Sequence, residues 1–237
     1  MENFDILKEK YISEDAGENI ETSKGSDTNI KHRFIVKDIQ NTSKKTFYLI
    51  VKRCFDFLAA FFALIFLAIP MLIIAIVIKA DSKGTALYKQ ERLGKNGKPF
   101  NVLKFRSMRM DAESGGAQWA SADDNRVTRV GAFLRKTRLD ELPQLICILC
   151  GTMSIVGPRP ERPVFYNEFD KYIDGFRNRL YVTPGLTGLA QISGGYDLEP
   201  EEKIVYDMEY IETRSALLDL KIIFKTAAIV FNHDGAR

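Results

Sequence analysis

At 237 residues the chain has room for one catalytic domain of ordinary size plus accessory segments. A formal charge of +3 from 34 basic and 31 acidic residues does not mark a nucleic-acid binder by composition. The three cysteines, Cys54, Cys147 and Cys150, are an odd number among apolar neighbours, which argues against a disulfide framework.

Residues 1–45 are polar and mixed in charge, with few aromatics and no sustained period. They predict a disordered or weakly ordered tail, in which "HRFIVKDI" offers at most a short strand. Phe57 to Ile78 follows, 22 residues without a charge. That is the length and character of a membrane segment, too far from the N-terminus for a secretory signal. Pro70 sits inside it and predicts a kink, because proline removes a donor and clashes with the preceding turn. Lys44, Lys45, Lys52 and Arg53 precede the run, and Lys79, Lys83, Lys89 and Arg92 follow it. Basic residues prefer the cytoplasmic side and here lie at both ends, so a re-entrant helix and a single kinked span both stay open.

Asn96-Gly97 is a type I′ turn signal and predicts a β-hairpin with strands near 86–92 and 99–106. "GGAQWASADD" predicts a loop. Val127, Val130, Phe133 and Leu134 recur at helical spacing among Arg126, Arg129, Arg135 and Lys136, which predicts a basic amphipathic helix. "DELPQLICILCG" restarts a helix, with Asp140 as N-cap, Pro143 in the first turn and Gly151 as the stop. Cys147 and Cys150 fall inside it and read as buried helix positions, not a zinc site, because His32 and His233 are the only histidines. "MSIVGPRPERP" predicts a rigid extended loop, and "VTPGLTGLAQISGGYD" a turn-rich one. Ile204, Met208 and Ile211 share one face of a later helix. Residues 216–231 are apolar nearly all round and predict a core or interfacial helix, with the interfacial reading preferred.

No internal repeat, dinucleotide fingerprint, P-loop or zinc-protease motif appears. What stands out is "RKTRLDELPQL". Consecutive helical residues diverge by about 100°, but at a helix N-terminus two neighbouring carboxylates can serve one site. Asp140 and Glu141 are then either an N-cap with dipole support or a phosphate site. A carboxylate can bind Mg²⁺ or attack phosphorus, and clustered arginines bind phosphate oxygens.

"KRCFDF", "LKFRSM", "RKTRLDELPQL", "MSIVGPRPERP" and "VTPGLTGLAQI" occur in the order found in the bacterial sugar transferases, the monotopic phosphoglycosyl transferases that initiate polysaccharide and glycoconjugate assembly. The resemblance covers about residues 47–231 and is to the short catalytic form. Together with the reading of the residues above, it gives an α+β membrane-associated fold: residues 1–45 as tail, 46–80 as a re-entrant membrane helix, which the resemblance favours, and 81–237 as a compact, mainly helical catalytic domain with a small β-hairpin and an interfacial C-terminal helix. It implies transfer of a sugar 1-phosphate from a UDP-sugar to undecaprenyl phosphate with release of UMP. The location implied is the cytoplasmic face of a bacterial inner membrane, among membrane lipids, with downstream glycosyltransferases or further copies of the chain as admissible partners and no nucleic acid.

By motif match, Asp140 is the expected nucleophile, forming an aspartyl-phosphosugar, and Glu141 the expected Mg²⁺ ligand. Arg135 is expected near the phosphates, and Pro158, Arg159 and Pro160 match the nucleotide-binding loop. Lys104 and Arg106 are placed for phosphate or headgroup, Lys52 and Arg53 for polyprenyl phosphate or lipid, and Pro70 matches the helix-breaking proline. The chain departs from the pattern at Ile69, Cys147, Cys150, Thr152 and Gly195, the last standing where an arginine is common. A weakly active membrane scaffold for glycan-assembly enzymes is the alternative. The transferred sugar stays open, with glucose and galactose as candidates.

Overall fold

A computed structural model describes residues 4–15, 33–37, 45–112, 124–194 and 198–232. The predicted loop at 115–124 falls outside them except for Asp124, as do Gly195, His32 and His233.

The chain begins with helix α1 (Phe4–Tyr11) and strand β1 (Ile12–Asp15), which pairs antiparallel with β2 (Arg33–Val36). This corrects the expectation of a disordered tail for the described part of residues 1–45. Leu7, Tyr11, Ile12 and Val36 are buried in the main core. The Tyr11 hydroxyl lies in hydrogen-bond reach of Glu209, at 2.6 Å, and of Glu212. A few apolar side chains in a polar segment suffice, because a later helix presents a matching face.

Helix α2 (Thr46–Asp81) has 36 residues and is helical throughout, with Pro70 inside it. The expected break is therefore absent from its secondary structure. It is long and apolar enough to cross a membrane. Its N-terminal part docks on the rest of the protein. Arg53 donates to the Ile148 and Leu149 carbonyls at 2.7 and 2.8 Å. Buried Asp56 accepts from Ser154 Oγ at 2.7 Å and the Ile155 amide at 3.1 Å. Ala60 is fully buried with Val102, Ile148 and Met153. Its C-terminal part docks too, through Ile78 with Phe105 and Leu134. The middle is exposed and apolar, with Phe66 and Ile69 more than 70% accessible.

Strands β3 (Leu87–Leu93) and β4 (Pro99–Phe105) form the predicted hairpin in antiparallel register. Asn96 and Gly97 both take positive φ, 58° and 72°, as the type I′ signal requires. Helix α3 (Arg129–Lys136) starts at Thr128, whose Oγ1 accepts from the Gly131 amide at 2.9 Å. Helix α4 (Gln144–Cys150) ends at Gly151 with φ 83°, the predicted stop. It starts after Pro143, however, and Asp140 is not its N-cap.

Strand β5 (Ser154–Val156) is followed by α5 (Pro163–Phe169) and β6 (Ile173–Asp174), which pairs in parallel with β2. Strand β7 (Gly185–Thr187) pairs in parallel with β5, and α6 (Leu189–Ser193) follows. Helix α7 (Pro200–Thr213) opens with a capping box between Glu199 and Glu202. It buries Ile204, Met208 and Ile211 completely, on the face predicted from their spacing. Helix α8 (Ala216–Asn232) buries Ile222 and exposes Leu217, Leu220 and Phe224. Among the described residues the architecture is mixed helix and strand, with three small sheets where the sequence announced one hairpin.

Candidate active site

Helix α3 ends with its Thr137 amide bonded to the Phe133 carbonyl, and the chain then reverses at Arg138. Arg138 has φ 57°, the left-handed conformation that costs a non-glycine residue about 1–2 kcal/mol. This kink places Asp140 and Glu141 in a single 3-10 turn, Leu139–Glu141, closed by the Glu141 amide on the Arg138 carbonyl at 3.2 Å. The acid pair thus sits on a short strained connection between α3 and α4. Pro143 is the N-cap of α4 with φ −62°, where its missing N–H is no loss.

The two carboxylates have opposite surroundings. Glu141 accepts from Lys104 Nζ at 2.8 Å and Arg159 Nη2 at 2.5 Å, both on Oε1. Burial opposes its charge, but Arg159 and Lys104 outweigh that and hold its carboxyl well below the usual range. Asp140 is 8% exposed, and no described residue hydrogen-bonds its carboxylate. Burial pushes its carboxyl up, aided by the charge of Glu141, while Lys104, Arg135 and Arg159 pull it down less strongly. One carboxylate is therefore fixed and ionised. The other is unclamped and less stable as an anion. Such a split between neighbours is the usual sign of divided roles.

Three cations converge on the pair from separate elements: Lys104 from β4, Arg135 from α3 and Arg159 from the loop after β5. Arg135 is steadied by donating from Nε to Ser107 Oγ at 3.0 Å. Pro158 and Pro160 are buried and frame Arg159.

The other predicted cations lie elsewhere. Arg106 is buried and donates to the carbonyls of Lys83, Ser82 and Ile78 at 2.6, 2.7 and 3.3 Å, closing the C-terminal end of α2. Lys52 pairs with Asp219 of α8 at 2.8 Å. Arg53 covers the end of α4. These three fasten α2, where the sequence suggested phosphate or headgroup contact. Cys147 is buried and Cys150 exposed, both free thiols. Sequence reasoning gave no role to Ser107 and Asp56, although both lie in motifs it singled out, "LKFRSM" and "KRCFDF". It also missed Arg92, Arg179 and Asp207, which lie behind the Arg159 loop.

Among the described residues no group of three or more His, Cys, Asp or Glu could hold a metal ion. Asp140 and Glu141 are adjacent carboxylates of the donor type that Mg²⁺ takes. That ion is commonly held by one or two carboxylates with the remainder supplied by substrate phosphates and water.

The sequence model of the bacterial sugar transferase family matches residues 47–233. A UDP-N-acetylgalactosamine-undecaprenyl-phosphate N-acetylgalactosaminephosphotransferase of Aeromonas hydrophila is 42% identical over 193 residues, 80% of this chain and 46% of the relative. A putative undecaprenyl-phosphate N-acetylgalactosaminyl 1-phosphate transferase of Bacillus subtilis (strain 168) is 51% identical over 158 residues, 64% of this chain and 87% of the relative. A UDP-glucose:undecaprenyl-phosphate glucose-1-phosphate transferase of Escherichia coli (strain K12) is 42% identical over 182 residues, 75% of this chain and 39% of the relative. The chain therefore spans less than half the length of the first and third, and most of the second.

Proposed function

The chain belongs to the bacterial sugar transferase family, and from that premise we propose that it transfers a sugar 1-phosphate from a UDP-sugar to undecaprenyl phosphate, releasing UMP. The observation that carries the proposal is the unclamped Asp140 beside the clamped Glu141, within a ring of Lys104, Arg135 and Arg159.

Phosphoryl transfer needs positioning and charge neutralisation more than covalent work by the protein. Arg135 and Arg159 suit the oxygens of a diphosphate, and Lys104 adds a compact charge. An Asp140 carboxylate oxygen attacks the sugar-bearing phosphorus. The new O–P bond forms as the bond to UMP breaks, and UMP leaves with the electron pair. A phosphate oxygen of the lipid then attacks the same phosphorus, and Asp140 departs as carboxylate. The two anionic substrates need not share the site at one time. Glu141, with Asp140 beside it, would hold Mg²⁺, which supplies charge neutralisation at the phosphates.

We also place α2 in the membrane as a re-entrant element, with the site on the cytoplasmic side. Both ends of α2 dock on the same body, through Asp56 and Ala60 at one end and Ile78 at the other. That argues against a span that separates its ends by a bilayer. The exposed apolar middle, and Leu217, Leu220 and Phe224 of α8, suit contact with lipid.

The test is UMP release by the purified full chain with Mg²⁺, undecaprenyl phosphate and a panel of UDP-N-acetylgalactosamine, UDP-glucose and UDP-galactose. Release with at least one sugar, lost in Asp140→Asn, is expected. Undiminished release by Asp140→Asn would remove the nucleophile assignment. No UMP from a broader panel would leave the scaffold alternative.

A further inference from the structure

The loop that carries Arg159 is neither helix nor strand, and two of its residues are prolines with no amide to donate. Yet four consecutive carbonyls in it are each held by a different partner. The Gly185 amide donates to the Pro158 carbonyl at 2.9 Å. Arg179 Nη2 donates to the Arg159 carbonyl at 3.1 Å. Arg92 Nη1 donates to the Pro160 carbonyl at 2.9 Å. The Leu93 amide donates to the Glu161 carbonyl at 3.1 Å.

Two of the four clamps are arginine side chains, themselves fixed. Arg92 bonds Gln90 Oε1 at 2.5 Å and pairs with Glu161 at 3.2 Å. Arg179 pairs with Asp207 of α7 at 2.6 Å, both side chains 2% exposed, and its guanidinium lies 5.0 Å from the Phe176 ring centre. Stability alone is a poor account of that pair. Among the described residues Arg179 Nε and Nη1 are buried with no hydrogen-bond partner, and apolar side chains commonly fill such a place at no loss. What the pair does supply is one N–H group, Nη2, anchored by Asp207 and directed at the peptide of Arg159.

We propose that Arg92 and the buried Arg179–Asp207 pair are positioning residues, which hold the 158–161 backbone and so set the reach of Arg159 to Glu141. This rests on the transferase reading for its catalytic consequence, but not for the clamp itself. An Arg159 side chain carried on an unheld loop would approach the acid pair in many geometries. Displacement of a positioning group by about 1 Å can cost about 100-fold in rate.

The experiment uses the full chain with Arg92→Lys and Arg179→Lys. Each keeps the charge, but Arg92→Lys loses the planar fork that spans Pro160 and Gln90, and Arg179→Lys the Nη2 placed between Asp207 and the Arg159 carbonyl. The first readout is hydrogen exchange at the Leu93 and Gly185 amides, which donate to the Glu161 and Pro158 carbonyls. Both should exchange at least tenfold faster, with α7 unchanged in Arg92→Lys. The second is kinetic: kcat should fall about 10- to 100-fold in Arg92→Lys, and by much less when Arg159 is already glutamine. Should Arg179→Lys fail to fold, Arg92→Lys carries both readouts. Unchanged exchange at Leu93 and Gly185, or equal kinetic losses with and without Arg159, would overturn the proposal. An inactive wild-type chain would instead count against the transferase reading, and the exchange data would still decide whether the loop is held.

Discussion

Replacing Lys52 with methionine separates two roles that the sequence cannot tell apart. The Asp219 carboxylate accepts from Lys52 at 2.8 Å, Tyr48 at 2.8 Å and Tyr210 at 2.9 Å. The ionic partners are 13% and 11% exposed, so solvent screens them little. Methionine keeps the apolar stem and removes the ammonium, leaving a buried carboxylate with two hydroxyls. Breaking a buried pair from one side costs about 3–5 kcal/mol, and the surviving hydroxyls favour the lower end, about 3 kcal/mol. In a protein of this size about 1 kcal/mol moves Tm by about 2–4 °C, so a drop of about 6–12 °C is expected. Thermal unfolding in lipid nanodiscs measures it, and the loss should shrink when Asp219 is already asparagine. A Tm unchanged within error, with a raised KM for undecaprenyl phosphate, would refute the fastening role and return Lys52 to the lipid phosphate.

Four further outcomes follow. Asp140→Asn should abolish turnover yet raise Tm at neutral pH. The fold raises this carboxyl above its ordinary 3.8, so the stability of the protonated form is present below that value and is lost as pH rises through the folded pKa. Glu141→Gln should do the reverse to stability, because the depressed Glu141 contributes above its ordinary 4.5 and loses that contribution as pH falls. Melting curves at pH 7 and pH 4 check both signs. Lys104→Met should shift the acid limb of kcat/KM to higher pH, since Lys104 is the strongest group pulling the Asp140 carboxyl down; an unmoved limb would separate that limb from Asp140. Gly131→Ala should reduce folded yield, because a Cβ there would lie 1.9 Å from the Ser107 carbonyl oxygen, and overpacking typically costs about 1–3 kcal/mol.

The features legible in the sequence are those fixed by local backbone chemistry or by a single helical face. Asn96-Gly97 can take two positive φ values in succession, and Gly151 can end a helix in the left-handed region. Ile204, Met208 and Ile211 announce their common face by spacing. The acid pair was visible, but its geometry was not, because the left-handed residue before it is Arg138 and not a glycine. Nor does sequence separate cations that meet carboxylates from cations that close helix ends. Lys104 reaches Glu141, while Arg106, two residues on and on the same side of the strand's alternation, turns to the carbonyls of α2. The pairing of β2 with β6 joins distant parts of the chain, which no local pattern encodes.

The fastening of α2 and the geometry of the site use the same short segments. Asp56 of α2 bonds Ser154 and Ile155 of β5, and β5 leads directly into the loop of Arg159. Arg106 bonds the end of α2, and its neighbour Ser107 steadies Arg135. Ile78 of α2 packs in one cluster with Leu134, Leu139 and Leu142, which flank the acid pair on both sides. A shift of α2 relative to the body would therefore reach Arg135, the Asp140–Glu141 turn and Arg159 through one or two residues each. On the proposed membrane placement, the element that meets the bilayer is also the element against which the phosphate site is built. Seating the helix in lipid and aligning the three cations on the acid pair are then parts of one packing arrangement.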